Sequence, residues 1–330
     1  MTTLPGIVYN QLFVSLLSPN FDFTGKTFIV TGSNTGLGFE AARHLVRLRA
    51  ERVILAVRSV EKGEQAKQRI EQSTDGGSIL QVWELDLSSY ESVKVFAVRC
   101  DKEVGRLDCV IENAAIGSHS YTAMEDNESV LTVNVVSTFL LGILLLPVLR
   151  RTAASTNTQT HLSFIVSDVH GMVSLSERHQ PNIFSALNAD KSPTGMRRRY
   201  GVTKLLGVLL TRELATRMGK PDVQGVIVNC VNPGFCVSDL SRHAPTWIRP
   251  LIGLLHLVLA RSTEVGSRTH IFGAAGSEAT HGQYMSNCRI ERPSRFVLSD
   301  EGAKTQSRVY DELLEKLEAI QPGISQVVTG

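Results

Sequence analysis

The sequence predicts a doubly wound α/β domain, a parallel sheet with helices packed on both faces. Short β-branched and apolar runs alternate with longer stretches of helical spacing from residue 27 to residue 231. Parallel strands joined by crossover helices impose that pattern. A glycine-rich turn lies directly between the first strand and the first helix. No fixed-period repeat or low-complexity linker interrupts the alternation, so the 330 residues read as one large domain rather than two. That domain is expected over residues 25–330, behind an N-terminal extension at 1–24.

In chain order, residues 27–31 form a buried-strand run. Residues 36–48 place Leu37, Ala41, Leu45 and Leu48 at helix-like spacing. A strand at 52–57 and a polar helix at 61–72 follow. Residues 79–85 are strand-like, after which Ser88 is expected to cap a helix. A short strand at 109–111 leads into one long apolar helix over 127–150, then a strand at 161–166. Residues 200–218 read as a helix with Leu205, Leu206, Val208 and Leu209 on its inner side, and 223–231 as a further strand.

Composition narrows the function classes. Hydrophobic residues at 42% against 20% charged supply a sizeable core and exclude a disordered or fibrous chain. A net charge of +2 without a basic segment argues against nucleic-acid binding. Five cysteines, odd in number and without a C-x-x-C pair, suggest no metal site, no disulfide framework and a reducing, cytoplasmic location. The first basic side chain is Lys26, which fits neither a secretory signal nor a transit peptide. The longest apolar stretches, 139–149 and 251–260, fall short of the roughly 20 residues a spanning helix needs. The first is expected to be a core helix. The second is expected to line an apolar pocket or the core, with peripheral contact at a membrane surface as the alternative.

Chemistry first becomes legible at Thr31-Gly32-Ser33-Asn34-Thr35-Gly36-Leu37-Gly38. Glycines there let the backbone approach a pyrophosphate, and the helix that follows offers aligned N–H groups and a positive dipole end. An ordinary glycine turn shares the composition, but the strand before and the helix after favour the nucleotide reading. The second strand ends at Arg58-Ser59, without the acidic residue that would grip a ribose 2′-hydroxyl. A cation and a hydroxyl there suit a 2′-phosphate, so NADP(H) is favoured over NAD(H), against the alternative of a solvated arginine. Asp86, followed by Leu87, ends the third strand, where its carboxylate would accept from an adenine amino group or serve as a helix cap. Tyr200 and Lys204, four residues apart, share one helix face. A cation beside a phenol favours the phenolate and tunes it for acid–base work. Ser167 ends an apolar strand upstream.

These residues resemble the short-chain dehydrogenase/reductase family, in its retinol-dehydrogenase-like branch, over about residues 25–290. The resemblance is carried by the glycine turn, Asp86-Leu87, Asn113-Ala114-Ala115, Asn134, Ser167, Tyr200/Lys204, Asn232-Pro233-Gly234 and Gly282-Gln283-Tyr284 with Cys288. It implies a Rossmann-type fold and a catalytic set of Asn134, Ser167, Tyr200 and Lys204. Tyr200 would be the general acid, Ser167 would polarise the substrate oxygen, and Asn134 would hold a water that links Lys204 to solvent. Lys204 would lower the Tyr200 pKa and bind the nicotinamide ribose. The implied cofactor-binding set is Thr31, Gly32, Asn34, Thr35, Gly36, Leu37, Gly38, Arg58, Asp86, Leu87, Asn113, Ala114, Tyr200, Lys204, Pro233, Gly234 and Ser238. A segment at about 235–262 would cover the substrate.

Three positions depart from the family pattern. Glu112 stands where the family has asparagine and is expected to put a carboxylate at the sheet edge. Ala115 replaces a glycine, and Asp168 follows Ser167 in place of a small neutral residue. Between Ser167 and Tyr200, His170, Arg178, His179, Lys191 and Arg197-Arg198-Arg199 are expected on the substrate rim. The triple arginine is a charged helix start or a site for an acidic group. The favoured activity is an NADPH-dependent interconversion of a lipophilic ketone or aldehyde and its alcohol. Its alternatives are a non-redox isomerase, cyclase or dehydratase on the same scaffold, or a non-catalytic cofactor-binding protein. The chain also resembles fungal tailoring reductases of secondary metabolism. In the family, helices matching 127–150 and 200–218 often pack between subunits, which suggests a homodimer, with a monomer the alternative.

Overall fold

The computed structural model describes residues 4–74, 79–237 and 259–329. Helix α1 (Leu4–Phe13) precedes β1 (Thr27–Thr31), α2 (Gly36–Arg47), β2 (Arg52–Val57), α3 (Val60–Gln72), β3 (Leu80–Glu84), α4 (Tyr90–Glu103) and β4 (Cys109–Glu112). A small hairpin, β5 (Ala123–Met124) and β6 (Asn127–Glu128), comes before α5 (Ser129–Leu131), a π-turn (Thr132–Ser137), α6 (Thr138–Thr156) and β7 (Thr160–Ile165). Then come α7 (Ile183–Ala189), α8 (Pro193–Met218), β8 (Val226–Asn232), α9 (Thr263–Ala274), β9 (Tyr284–Ser286), β10 (Arg289–Ile290), α10 (Asp300–Ile320) and α11 (Ile324–Thr329).

The main sheet has the order β10-β9-β8-β7-β4-β1-β2-β3 and is parallel except where β10 meets β9. This is the expected doubly wound Rossmann architecture. Its faces follow from strand alternation. Phe28 and Val30 of β1 pack with Val53, Leu55, Cys109 and Ile111 under α2 and α9. Ile29 turns the other way, with Ile54, Ala56 and Val110, toward α4, α6 and α8. Strand order reverses between β1 and β4, so the two connections leave toward opposite faces and open a crevice at the carboxyl ends of the strands.

Several expectations shift. The cap of α4 is Ser89, whose Oγ accepts from Ser92 N, while Ser88 instead donates to Asp86. The single helix expected over 127–150 is a composite. Asn127 and Glu128 pair as a strand, the Glu128 carboxylate caps α5, and the π-turn intervenes before α6. The helix carrying Tyr200 starts about two turns earlier than its apolar spacing suggests, because Ser192 caps it and Pro193 opens it. The triple arginine is therefore interior to α8. Arg197 points to solvent, Arg198 pairs with Glu177, and Arg199 is buried, donating to the Leu187 and Asp190 carbonyls. Glu112 sits on an interior strand rather than at the sheet edge, and it is buried.

The stretch Ser129–Thr156 is long and apolar enough to cross a membrane, but 94% of its apolar 18-residue window is buried inside the protein. Residues 139–149 are thus core, as expected. Only residues 259 and 260 of the stretch 251–260 lie within the described residues. The two helices on which a dimer was expected also carry partners from the C-terminal part of the chain. α10 packs on α8, and α11 packs on α6. Arg150 near the end of α6 donates to the last-turn carbonyls of α11, reaching Val328 O at 2.8 Å and Val327 O as well. A cation against those carbonyls complements the helix dipole. Arg150→Met should therefore loosen the C-terminal cover and lower stability by about 1–2 kcal/mol. Urea unfolding of the two proteins measures the difference.

Candidate active site

The glycine turn adopts the backbone its sequence requires. Gly32 and Gly36 have φ of +64° and +63°, a region that side chains with a Cβ rarely enter. A Cβ on Gly32 would press on Ala114 at 3.0 Å, and one on Gly38 would meet the Asn113 amide at 2.5 Å. At Gly36 the space above the turn is open. Ser33 is fully buried, its hydroxyl donating to Val30 O. An open turn feeding the N-terminus of α2 at the switch point fits the pyrophosphate of a dinucleotide, with Thr31 to Gly38 as its cradle.

Asn113 and Ala114 serve this turn from the neighbouring strand. Both their N–H groups donate to Thr31 Oγ1, at 2.9 and 3.0 Å. The Asn113 amide donates to Thr31 O and Gly32 O, so its Oδ1 accepts from His270 Nε2–H at 3.1 Å. Burial pulls the His270 pKa down to about 3, which keeps the ring neutral and able to play that part. Asn113 thus shapes the cradle from behind. The sequence reading had no signal for His270, because its partner lies 157 positions away.

Where the adenosine is expected, Arg58 is exposed at the close of β2. Ser59 is engaged as the cap of α3, its Oγ accepting from Lys62 N. Asp86 Oδ1 accepts from both the N–H and the hydroxyl of Ser88, at 2.9 and 2.7 Å. One carboxylate oxygen therefore holds the local turn, and the cap role falls to Ser89. Leu87 is buried.

The catalytic candidates converge where β7 ends. Lys204 reaches from α8 to donate to Ile165 O at 2.8 Å, two residues before Ser167. Its Nζ lies 5.6 Å from the centre of the Tyr200 ring. Gly201 lets α8 come close to the turn after Ser167, since a Cβ there would meet Val173 at 2.6 Å. Ser167 Oγ caps that turn loosely, accepting from Val169 N at 3.4 Å. The electrostatics differ from the expectation. Burial pushes the Tyr200 phenol above its ordinary value and pulls the Lys204 ammonium down to about 8. Desolvation is the cause at both groups, and the ammonium donates to the Ile165 carbonyl.

Asn134 sits in the π-turn, and its side chain is fully committed. Oδ1 accepts from Ile116 N, and Nδ2 donates to Ile116 O and Thr203 Oγ1. It fastens the segment after Asn113 to α8, so holding a water would fall to its main chain. His170, expected on the substrate rim, is internal. Its Nδ1–H donates to Ser167 O and its Nε2 accepts from Ser294 N, which fixes the carbonyl of Ser167. Asp168 accepts from the buried Tyr284 hydroxyl at 3.0 Å.

Pro233 and Gly234 follow β8, with Gly234 at φ +81°. The space a Cβ would need there is filled by Gln11 and Arg261, neither anticipated from sequence. Arg261 donates to Asn10 O and Asn287 Oδ1, while Gln11 donates to Phe235 O and Leu259 O. The N-terminal extension is thus bound to the ends of the segment expected to cover substrate. Ser238 and most of that segment lie outside the described residues. Among the described residues no cluster of His, Cys, Asp and Glu forms a metal site.

A family model for short chain dehydrogenases matches residues 26–167. Over 329 residues the chain is 46% identical to the short chain dehydrogenase/reductase dmxR8 of Cryptosporiopsis sp., covering 97% of this chain and 99% of that protein. The chain belongs to the short-chain dehydrogenase/reductase family. It is also 42% identical over 327 residues to the short-chain dehydrogenase anuD of Penicillium roqueforti, covering 98% of this chain and 85% of the relative. The NADP complex of Pseudomonas aeruginosa RhlG superposes with a TM-score of 0.59 at 23% identity, over 82% of this chain and 97% of that one. Likeness at that identity speaks for the fold. Membership makes the chain an oxidoreductase of a family that uses nicotinamide cofactors.

Lys204 gives a pH test of the site. Its pKa is about 8 in the folded protein against an ordinary 10.5. Below about 8 both folded and unfolded states carry the charge, and the folded state bears the cost of burying it. Between about 8 and 10.5 the unfolded chain holds a proton the native state has lost, so this residue's contribution to stability rises with pH. The stability of the wild type relative to Lys204→Met should therefore increase across that interval. Urea midpoints of both proteins at stepped pH report it, and a constant difference would refute it.

Proposed function

We propose that the chain is an NADP(H)-dependent oxidoreductase that interconverts a lipophilic ketone or aldehyde and its alcohol, in fungal secondary metabolism. The observation that carries this reading is Lys204 bonded to Ile165 O, two residues before Ser167, with the Tyr200 ring 5.6 Å from its ammonium, beside an open glycine turn at the switch point. Thr31 to Gly38, Asn113 and Ala114 would hold the pyrophosphate side, Arg58, Asp86 and Leu87 the adenosine side, and Pro233, Gly234 and Ser238 the nicotinamide side. The cofactor, when bound, supplies or accepts the hydride.

Ser167 Oγ would donate to the substrate oxygen, where its bond strengthens as charge develops. Tyr200, kept protonated by burial, starts as an acid and gives its proton to that oxygen. Lys204 would bind the ribose hydroxyls, and its charge would stabilise the phenolate left behind. Phe235 and Val237, 37% and 46% exposed just after Gly234, supply apolar surface that suits a lipophilic substrate. The fungal relatives support the metabolic setting. A cytoplasmic location is part of the same reading. So is one functional domain over 25–330.

NADPH oxidation measured against a panel of lipophilic carbonyls tests the activity; no turnover with any of them, despite cofactor binding, would favour a non-catalytic role. Tyr200→Phe removes the proposed proton donor and keeps the ring. Turnover should fall by at least about 100-fold with cofactor binding retained.

Arg58 decides the cofactor. A guanidinium makes charge-assisted bonds to a 2′-phosphate worth about 1.5–3 kcal/mol, so NADPH should bind at least about tenfold tighter than NADH. Arg58→Asp should reverse the preference, since a carboxylate repels the phosphate and accepts from ribose hydroxyls. Fluorescence titration of both cofactors into both proteins is the measurement, and equal wild-type affinities would make Arg58 a surface residue.

A further inference from the structure

Glu112 ends β4 one residue before Asn113, where the family pattern has asparagine. Its side chain is only 2% exposed. Oε2 accepts a long bond, 3.3 Å, from Thr31 Oγ1, while Oε1 is buried with no partner. An orphaned buried carboxyl oxygen is costly and calls for a partner. Against it lies a cavity of about 10 Å³, lined also by Asn134, Thr203 and Lys204. That is about the space one water centre needs, and a buried water needs at least two polar partners.

The walls identify those partners. Both Asn134 amide hydrogens are committed, to Ile116 O and Thr203 Oγ1, and the Thr203 hydroxyl donates to Tyr200 O, so neither side chain has a proton left to give the Glu112 carboxyl or a water. Lys204 Nζ gives one of its three protons to Ile165 O, which leaves two. We propose that Glu112 and Lys204 share one ordered water in this cavity, and that Glu112 thereby acts as a positioning residue for the Lys204 ammonium. The consequence for turnover rests on the oxidoreductase reading; the water bridge does not.

Burial supports the pairing. It pushes the Glu112 carboxyl up to about 8, where it meets the lowered Lys204. At neutral pH the acid is largely un-ionised and lends the water a hydrogen bond without a charge. A carboxylate formed across the water favours the ammonium form of Lys204, so Lys204 would lose its proton at a lower pH without Glu112. The other groups facing Glu112 are Thr31 of β1, which does not titrate, and the Cys100 thiol of α4, which burial pushes up to about 12 and keeps neutral. Asn134 of the π-turn and Thr138 of α6 do not titrate either.

The test reads Lys204 directly in the cofactor-free protein. Lysine labelled with ¹³C at Cε gives its titration by NMR, with the resonance assigned by its absence in Lys204→Met. Glu112→Gln keeps the shape and removes the charge, so the Lys204 pKa should fall by about one unit relative to wild type. A high-resolution crystal structure of the wild type should show a water within hydrogen-bond distance of Glu112 Oε1 and Lys204 Nζ. An unchanged Lys204 titration in folded Glu112→Gln, or a dry cavity, overturns the proposal. If the glutamine variant does not fold, Glu112→Asn, which installs the family residue, is read in the same way. Because neither readout uses substrate or cofactor, absence of carbonyl turnover would sink the oxidoreductase reading and leave this one standing.

Discussion

Where β1 and β4 part at the centre of the sheet, the N–H groups of Asn113 and Ala114 both end on the Thr31 hydroxyl, and the Asn113 amide returns to the carbonyls of Thr31 and Gly32. Two strands that diverge toward opposite faces would otherwise leave these donors and acceptors unpaired at the mouth of the crevice. Satisfying them inside the protein fixes the approach of the glycine turn to β4. The Cβ contact that any residue at 32 would make with Ala114 shows how close that approach is. His270 of α9, neutral because it is buried, completes the knot from the far side of the sheet. Helix α2, its N-terminus and the depth of the crevice all take their places from this one junction.

The polar groups beneath the crevice work against the stability of the fold. Lys204, Glu112, Tyr200 and His270 all have their charged forms disfavoured by burial. A core built for stability alone would place apolar side chains there, and sites that do chemistry commonly carry such a cost. The surrounding apolar mass is large enough to bear it. Layers under α4, α6 and α8 on one face, and under α2 and α9 on the other, enclose the strands almost completely.

Much of the fold was legible because strand and helix periodicities are local. The strands at 27–31 and 52–57 agree with the structure to the residue. The composite helix beginning at Ser129 was not legible, because hydropathy does not distinguish an α-turn from a π-turn. The cue that ends the hairpin before it is a buried Glu128. In the site, the glycine turn, Ser167, Tyr200 and Lys204 were readable from short motifs whose spacing is itself the signal. Gln11, Arg261 and His270 were not, since each acts through a partner more than a hundred positions away. Asn134 shows the converse: its position was readable, but its side-chain bonds to Ile116 and Thr203 were not.

Residues 4–17 of the N-terminal extension are hydrogen-bonded to the body of the protein largely through their main chain. Arg261 and Arg268 donate to the carbonyls of Asn10 and Leu16, and the Gln11 side chain donates to the carbonyls of Phe235 and Leu259, whereas further on Asp22 pairs with Arg49 and Phe21 and Phe23 pack on Phe272 and Phe28. A carbonyl oxygen is the same whatever residue carries it. The path of residues 4–17 is therefore prescribed largely by the body of the protein, while exposed side chains such as Tyr9, Leu12, Phe13 and Leu17 are left free to drift. Related chains could differ freely in the letters of this stretch and still follow one course. The constraint on evolution would then show at Gln11, Arg261 and Arg268, two of them far from the segment they hold.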